Sequence, residues 1–399
     1  MPSELQENSQ ELLGRIRRHL VPAYADFRRC SSMRELHALP LYQQLAGEVR
    51  AALETPHLGD FRVREAAGKE RYRAVAWNVE RGTRLQGQIE ALERDPYLRE
   101  ADLLLLTETD IGMARSGNLD IARTLAQRLG MCYAFVPCYL SLVKGSGVER
   151  SVEGENEIGL HGNAILSRYP LTGVRGIHLE NGIDKIASRE KRLGQQTAAA
   201  GVAQLPQGPL ALASIHLCAQ SSQAHRAAQM RQVLDALPPS GPALIGGDWN
   251  TSTYNSSRAL HAILGFWLRV AMGVGNVIRN HYLHPDAYFE RELFRLLEAR
   301  GFDYRNANRL GEHTVYYDMN DPRAAGSLGE WVPGWCFPFI HWSLRNHGGR
   351  CPLKLDWMAV RGVRPENPYI VHEVRDGSRV PLSDHDAVGV DFRWAQRPA

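Results

Sequence analysis

The chain has 399 residues, 44% of them apolar and 23% charged, which is ordinary globular material and excludes disorder, collagen-like repeats and coiled coils. Lysine and arginine number 47 against 44 acidic residues, and a net charge of +3 is no sign of a tail-driven nucleic-acid binder, although it leaves a local basic groove open. No stretch reaches the roughly 18 uncharged apolar residues of a membrane span. The polar, acidic Met1–Asn8 lacks the order of a secretory signal, and six scattered cysteines read as free thiols of a reducing compartment. A cytoplasmic setting is therefore expected.

In chain order, residues 1–66 repeat apolar side chains at helical spacing, Leu12, Leu13, Ile16 and Leu20, then Leu41, Leu45, Val49 and Leu53. They are expected to form a helical extension packed on a main domain of residues 67–399. Gly59 and the charged run to Arg71 mark the boundary. Tyr72–Val79 reads as a strand and Arg84–Arg94 as a helix stopped near Pro96. Asp102–Thr107 carries Leu103 to Leu106 unbroken, as suits a strand buried on both faces. Leu119–Leu129 is an amphipathic helix ended by Gly130. Cys132–Tyr139, Gly162–Ser167, Gln196–Leu205 and Leu210–Leu217 follow as strands, Ser221–Leu237 as a helix and Ala243–Gly247 as a strand. Residues 255–350 look like an insertion, with a helix at Tyr288–Arg300. Lys354–Val360 and Ala387–Phe392 close the chain as strands. Helices are too few between strands for one regular parallel sheet, so the class is α/β or α+β.

Polar residues recur at the ends of these strands. Asn78 lies on the first, Glu108 just past the next, Asp248 and Asn250 in Gly247-Asp248-Trp249-Asn250, Asp356 near the start of a late strand, and Ser383-Asp384-His385 before the last. Strand ends are where α/β enzymes place their sites. Asp248 and Asn250 are two apart and in extended geometry point to one side. Gly246 and Gly247 let the backbone approach a ligand closely. The candidate ligands are all oxygens, which selects Mg²⁺ or Mn²⁺ over zinc. His216 and His385 also end strands and can donate to phosphate oxygens or hold a carboxylate. A lone strand-end aspartate is more often a cap or turn residue; the ordered set is what carries weight.

That set, Trp77-Asn78-Val79, Thr107-Glu108, Gly162-Asn163 to Ser167-Arg168, Ser214-Ile215-His216-Leu217, Gly247-Asp248-Trp249-Asn250, Leu355-Asp356-Trp357 and Ser383-Asp384-His385, resembles the endonuclease/exonuclease/phosphatase superfamily from about Tyr72 to Phe392. The resemblance implies a four-layer sandwich, two packed β-sheets flanked by helices, and divalent-metal-dependent hydrolysis of phosphoesters. It implies Glu108 as principal metal ligand with Asn78 beside it, and Asp384 assisting at the metal or its waters. Asp248 would orient or deprotonate the attacking water, and Asn250 would hold a phosphate oxygen. His385, steered by Asp356, would contact the phosphate, and His216 would be the second histidine of the nuclease-I-like, sphingomyelinase-like and inositol-phosphatase-like branches. Whether Asp248 or His385 is the base stays open. Asn163, Arg189 and Arg192 are weaker candidates for contact with substrate.

Two stretches stand outside this pattern. Ile263–Met272, inside the insertion, reads first as a buried helix and second as an interfacial segment touching lipid. Trp331–Trp342 holds five aromatics, Trp331, Trp335, Phe337, Phe339 and Trp342, and is expected to pack on the insertion or to wall a substrate pocket. Three readings follow: a phosphodiesterase or phosphatase acting on a nucleic acid, nucleotide or small phosphoester; a lipid-headgroup phosphodiesterase at a membrane surface; or an idle binding protein that keeps the fold.

Overall fold

The structure, a computed structural model, describes residues 4–251, 255, 257–318, 334–376 and 380–394. The N-terminal segment folds into α1 (Glu4–Arg15), α2 (Tyr24–Phe27), α3 (Met33–Ala38) and α4 (Pro40–Glu54). Ser32 caps α3 by accepting from the Glu35 amide at 3.2 Å. This segment is not wholly helical: β1 (His57–Asp60) follows α4.

Next come β2 (Tyr72–Arg81), α5 (Leu85–Arg94), β3 (Leu103–Ile111), α6 (Ile121–Leu129), β4 (Cys132–Ser141) and β5 (Leu160–Ser167). Gly130 ends α6 at φ 61°, the left-handed turn that a glycine accepts without strain. Then follow β6 (Leu171–His178), β7 (Arg192–Gly194), β8 (Thr197–Leu205), β9 (Gly208–His216), α7 (Gln223–Ala236) and β10 (Ala243–Asp248). The insertion supplies α8 (Ala259–Ala271), α9 (Val274–Val277), α10 (Arg291–Ala299), β11 (Val315–Asp318) and α11 (Phe337–Leu344). The chain closes through β12 (Arg350–Leu353), β13 (Asp356–Arg361), β14 (Val363–Val371) and β15 (Ala387–Trp394).

Two large mixed sheets result. The first runs β1-β4-β5-β3-β2-β15-β14, with β7 also on β4, and the second β13-β10-β9-β8-β6. The pairs β2–β3 and β9–β10 are parallel. The period of two explains the layers. On β2 and β3, Ala74, Ala76, Leu103 and Leu105 face the second sheet and meet Leu212, Leu244 and Met358. Val75, Trp77, Leu104 and Leu106 face the other way, onto α5 and α6 and the N-terminal residues Leu20, Phe27 and Leu36. The outer face of the second sheet is covered by α7 and α10, through Met230, Val233, Leu293 and Leu297. Helix, sheet, sheet, helix is the four-layer order.

Two expectations need correction. Expected to let the backbone approach a ligand, Gly246 and Gly247 are approached by the protein itself. A Cβ on Gly246 would lie 2.5 Å from Met358 Sδ, and one on Gly247 2.1 Å from the Ile215 carbonyl, so both glycines serve close packing of the protein on itself. The Ile263–Met272 helix is not buried either. It falls on α8 up to Ala271, with Met272 as the C-cap, and on this helix Leu260, Leu264, Trp267 and Leu268 are all exposed. Its apolar composition reads as burial, but no described element covers this face.

Candidate active site at the strand ends

Register assembles the site. Asp248, the last residue of β10, stands opposite His216 of parallel β9 and opposite Asp356 of antiparallel β13. Three polar groups therefore form a row across one end of the second sheet. In the first sheet Asn78 pairs with Thr107, one residue before Glu108. Strand β3 continues to Ile111 through a bulge, and at this irregularity Glu108 takes φ 55°. A non-glycine residue held in the left-handed region is a strained one, and such strain gathers at sites.

The two sheets meet at Asn78. Its Nδ2 donates to Glu108 Oε1 at 3.2 Å and to Asp248 Oδ2 at 3.3 Å, and its Oδ1 accepts from the Glu80 amide at 3.1 Å. Asn78, expected beside Glu108 as a ligand, lies against it and ties two carboxylates together by donation. The loop before β15 is fixed to the same residue. Ser383 Oγ donates to the Asn78 carbonyl at 2.6 Å and accepts from the His385 amide at 3.1 Å, while Trp77 Nε1 holds the His385 carbonyl at 3.0 Å.

The His385 ring is clamped on one side. Nδ1 lies 2.9 Å and 3.1 Å from the two oxygens of Asp356, leaving Nε2 3.7 Å from Asp248 Oδ2. Asp356 is fixed by its backbone amide on Thr314 Oγ1 at 3.1 Å. On the opposite side His216 Nε2 is 3.4 Å from Asp248 Oδ2 and 3.9 Å from Glu108 Oε1. Asp248, Asp356 and His385 thus hold three donor atoms within 4.8 Å of one another. Since Asp356 is spent on His385, we read that triple as an oriented imidazole beside a second carboxylate, Asp248, that Asn78 and the Asn250 amide hold in place, not as a ligand set.

The family model "Endonuclease/Exonuclease/phosphatase family" matches residues 75–385, the interval that contributes every group in this cluster. The chain belongs to that family. Membership makes it a hydrolase acting on phosphoesters. Among solved structures it is similar to an endonuclease/exonuclease/phosphatase from Beutenbergia cavernae DSM 12333, at 15% identity over 82% of this chain and 72% of that one, TM-score 0.47. A functionally unknown conserved protein from Enterococcus faecalis V583 is 13% identical over 81% of this chain and all of the other (100%), TM-score 0.46. A 3'-5' exonuclease from Neisseria meningitidis is 15% identical over 81% and 100%, TM-score 0.44. Identities and TM-scores this low say nothing of the substrate. No curated protein matches the chain.

Charge in this endonuclease/exonuclease/phosphatase site is crowded. Burial pushes the Glu108 carboxyl up, but the Arg81 guanidinium, then His216, His161 and His385, outweigh it and hold it well below the usual carboxylate range. Burial likewise raises Asp248; His385 and His216 pull it back, Asp356 adds to the rise, and it stands at about 6. Burial lowers His385, yet Asp356, Asp248 and Asp384 together carry it well above an ordinary imidazole. His216 is lowered, burial exceeding the pull of Asp248 and Glu108. Glu108 and Asp384, both close enough to Arg81 to act on its charge, offer hard oxygen donors of the kind that a divalent cation takes.

Behind Glu108 stands an ion network that the sequence analysis did not find. Arg81 reaches Glu108 at 3.5 Å and Glu149 at 3.2 Å. Glu149 meets Arg115 at 3.3 Å, and Arg115 also holds Asp110 at 2.8 Å and Glu190 at 2.8 Å. His161 sits 2.8 Å from Asp110. The available signal was Arg81 itself, a charge three residues after Asn78 at the end of the same strand.

The remaining candidates stand at the margin of this cluster or away from it. Asn250 sits at φ 52°, which breaks the extended geometry expected of it; its Nδ2 donates to the Leu217 carbonyl at 3.0 Å. Asn163 is buried and donates to the Thr197 carbonyl at 2.8 Å, a tie within the core. Arg189 is exposed, and its carbonyl accepts from Arg150 at 2.8 Å. Arg192 is the arginine drawn inward, hydrogen-bonded to Glu190 and lying 5.4 Å from the Tyr139 ring. Asp384 is exposed beside Ser383 Oγ at 3.5 Å. Trp335 is exposed and packs edge-on to Phe339, which in turn meets Trp267 of α8. Trp331 lies outside the described residues.

Proposed function

We propose that the chain hydrolyses a phosphodiester in a nucleic acid, a nucleotide or a small phosphoester, by in-line attack of water in a site holding Mg²⁺ or Mn²⁺. The observation that carries this reading is the row His216, Asp248, Asp356 facing Glu108 across Asn78. Glu108 and the exposed Asp384 are the residues to hold the cation, which supplies positive charge to the nonbridging phosphate oxygens. Asn78 keeps Glu108 and Asp248 apart and in place.

Asp248 takes the proton of the water whose oxygen attacks phosphorus, and the bond to the leaving oxygen breaks. His385, oriented by Asp356, and His216 donate to the phosphoryl oxygens as charge grows on them. Both stand within 4 Å of Asp248 (3.7 Å and 3.4 Å), so attacking water and stabilised oxygens would share one small space.

The test is turnover of bis(p-nitrophenyl) phosphate and of short DNA and RNA oligomers. Activity should vanish in excess EDTA and return with Mg²⁺ or Mn²⁺. Glu108→Gln should raise the metal concentration needed for half-activity by about tenfold or more, the loss expected when a metal site is weakened. Full activity in the metal-free protein would sink the proposal.

A further inference from the structure

The insertion carries a surface that the site does not use. On α8, Leu260, Leu264, Trp267 and Leu268 are exposed by 63%, 60%, 42% and 55%, at spacings of four, seven and eight that put them on one face. Around α11, Trp335, Phe339 and Trp342 repeat the pattern at four and seven, exposed by 58%, 42% and 52%. The rings of Trp267 and Phe339 meet edge to face at 5.5 Å, so the two faces form one patch. Under α11 a small core is already formed: Ile278 and Leu344 are buried against Val274, Phe337, Ile340 and Cys351. Turning this patch inward would serve no packing that the fold lacks.

Charge says what covers it. Residues 257–282 and 334–350 contain five arginines, Arg258, Arg269, Arg279, Arg345 and Arg350, and no aspartate or glutamate. Arg350 is matched by Asp318 at 2.8 Å. Arg258, Arg279 and Arg345 are exposed, and Arg345 lies over the Trp342 ring at 4.7 Å. A second copy of the chain would bring arginines against arginines. An anionic lipid surface meets them with phosphate and carboxylate headgroups, and tryptophans with an arginine fringe are suited to that boundary. Helix α8 has 13 residues, a length of about 20 Å. That is short of the ~30 Å hydrocarbon core. Among the described residues no single helix is long and apolar enough to cross a membrane. Only as a pair bent by 103° do Leu260–Ala271 and Val274–Tyr282 together have the length and apolarity of a span. A helix of this kind lies in the interface.

We infer that α8 and α11 form a docking face for an anionic phospholipid bilayer. The face is tethered to the site at both ends, since β10 runs into the insertion from Asp248 and β13 leaves it at Asp356.

Vesicle flotation of the full chain tests this. With phosphatidylcholine vesicles containing phosphatidylserine the protein should float, and with phosphatidylcholine alone binding should fall by about tenfold or more, as it should in high salt. Arg258→Glu with Arg279→Glu and Arg345→Glu should lose at least about tenfold on the anionic vesicles. Trp267→Ser with Phe339→Ser should lose a similar factor while the thermal unfolding temperature stays put. A readout on the unaltered protein stands beside these: brominated phosphatidylcholine in anionic vesicles should quench part of the tryptophan emission. No flotation on anionic vesicles, or no quenching, overturns the inference. So does a stable dimer by light scattering that Trp267→Ser with Phe339→Ser converts to monomer.

Discussion

The strand-end cluster and the insertion depart from the usual partition of polar and apolar groups in opposite directions. At the strand ends, Asn78, Asp248, Asp356 and His385 are buried, and each has a named partner within hydrogen-bond distance. On α8 and α11, large apolar side chains stand in solvent, although α11 rests on an apolar cluster through Leu344, Phe337 and Ile340. Buried polar groups are costly unless paired, so their arrangement is held rigidly for a ligand. Exposed apolar groups cost the folded state little locally, and their use lies in what they meet. One region is built to be precise and the other to be available.

Four measurements break or sharpen this contrast. The largest effect is expected at Arg115, whose removal by Arg115→Ala takes the guanidinium from buried Asp110 and Glu190 and leaves them only His161 and Arg192 as basic partners. That should cost roughly 3–5 kcal/mol in urea unfolding, the range for breaking a buried pair. A loss below about 1 kcal/mol, the worth of a surface pair, would mean that the network is not closed off from water. Next come Asp248→Asn and His385→Ala, each expected to lower kcat by at least about a hundredfold with the fold intact. Asp356→Asn should resemble His385→Ala. The two together should cost no more than the larger alone, because Asp356 acts through the ring it clamps at 2.9 Å. Simple additivity would refute the clamp. The smallest effect belongs to the insertion: Leu264→Ser, on the exposed face of α8, should move stability by less than about 0.5 kcal/mol. A loss of a few kcal/mol there would mean that the face is covered by another part of the protein after all.

The difference between the regions also separates what the sequence reveals from what it hides. Long apolar runs with a polar residue at the end mark β2, β3, β9 and β10, because a strand buried on both faces has little compositional freedom. Strands β6 and β14 pass unnoticed. The first is mostly exposed and mixes polar with apolar residues, and the second carries Pro365 and Pro368 and sits at a sheet edge. The N-terminal β1, four residues long, hides at the end of a helical stretch. Asn250 illustrates a subtler loss: the two-residue spacing from Asp248 is visible, but the positive φ that turns its amide away is not. The network from Arg81 through Glu149 to Arg115 is hidden because each member is a lone charge, and only the fold brings them together. Helix α8 is misjudged for another reason, since composition measures how apolar a segment is and not whether anything lies on top of it.

The short strand β1 carries a consequence of its own. It pairs with β4 from His57↔Phe135 to Asp60↔Cys132 and so occupies the open side of a ten-residue strand buried along its whole length. A chain begun at residue 67 would offer those unpaired amides and carbonyls, and the apolar surface under Leu20, Phe27 and Leu36, to any passing chain. The N-terminal segment thus works as a selvage, the finished border that keeps a woven cloth from unravelling and from catching on its neighbour. Light scattering of the shortened protein would show growing aggregates if that border matters, and a stable monomer if it does not.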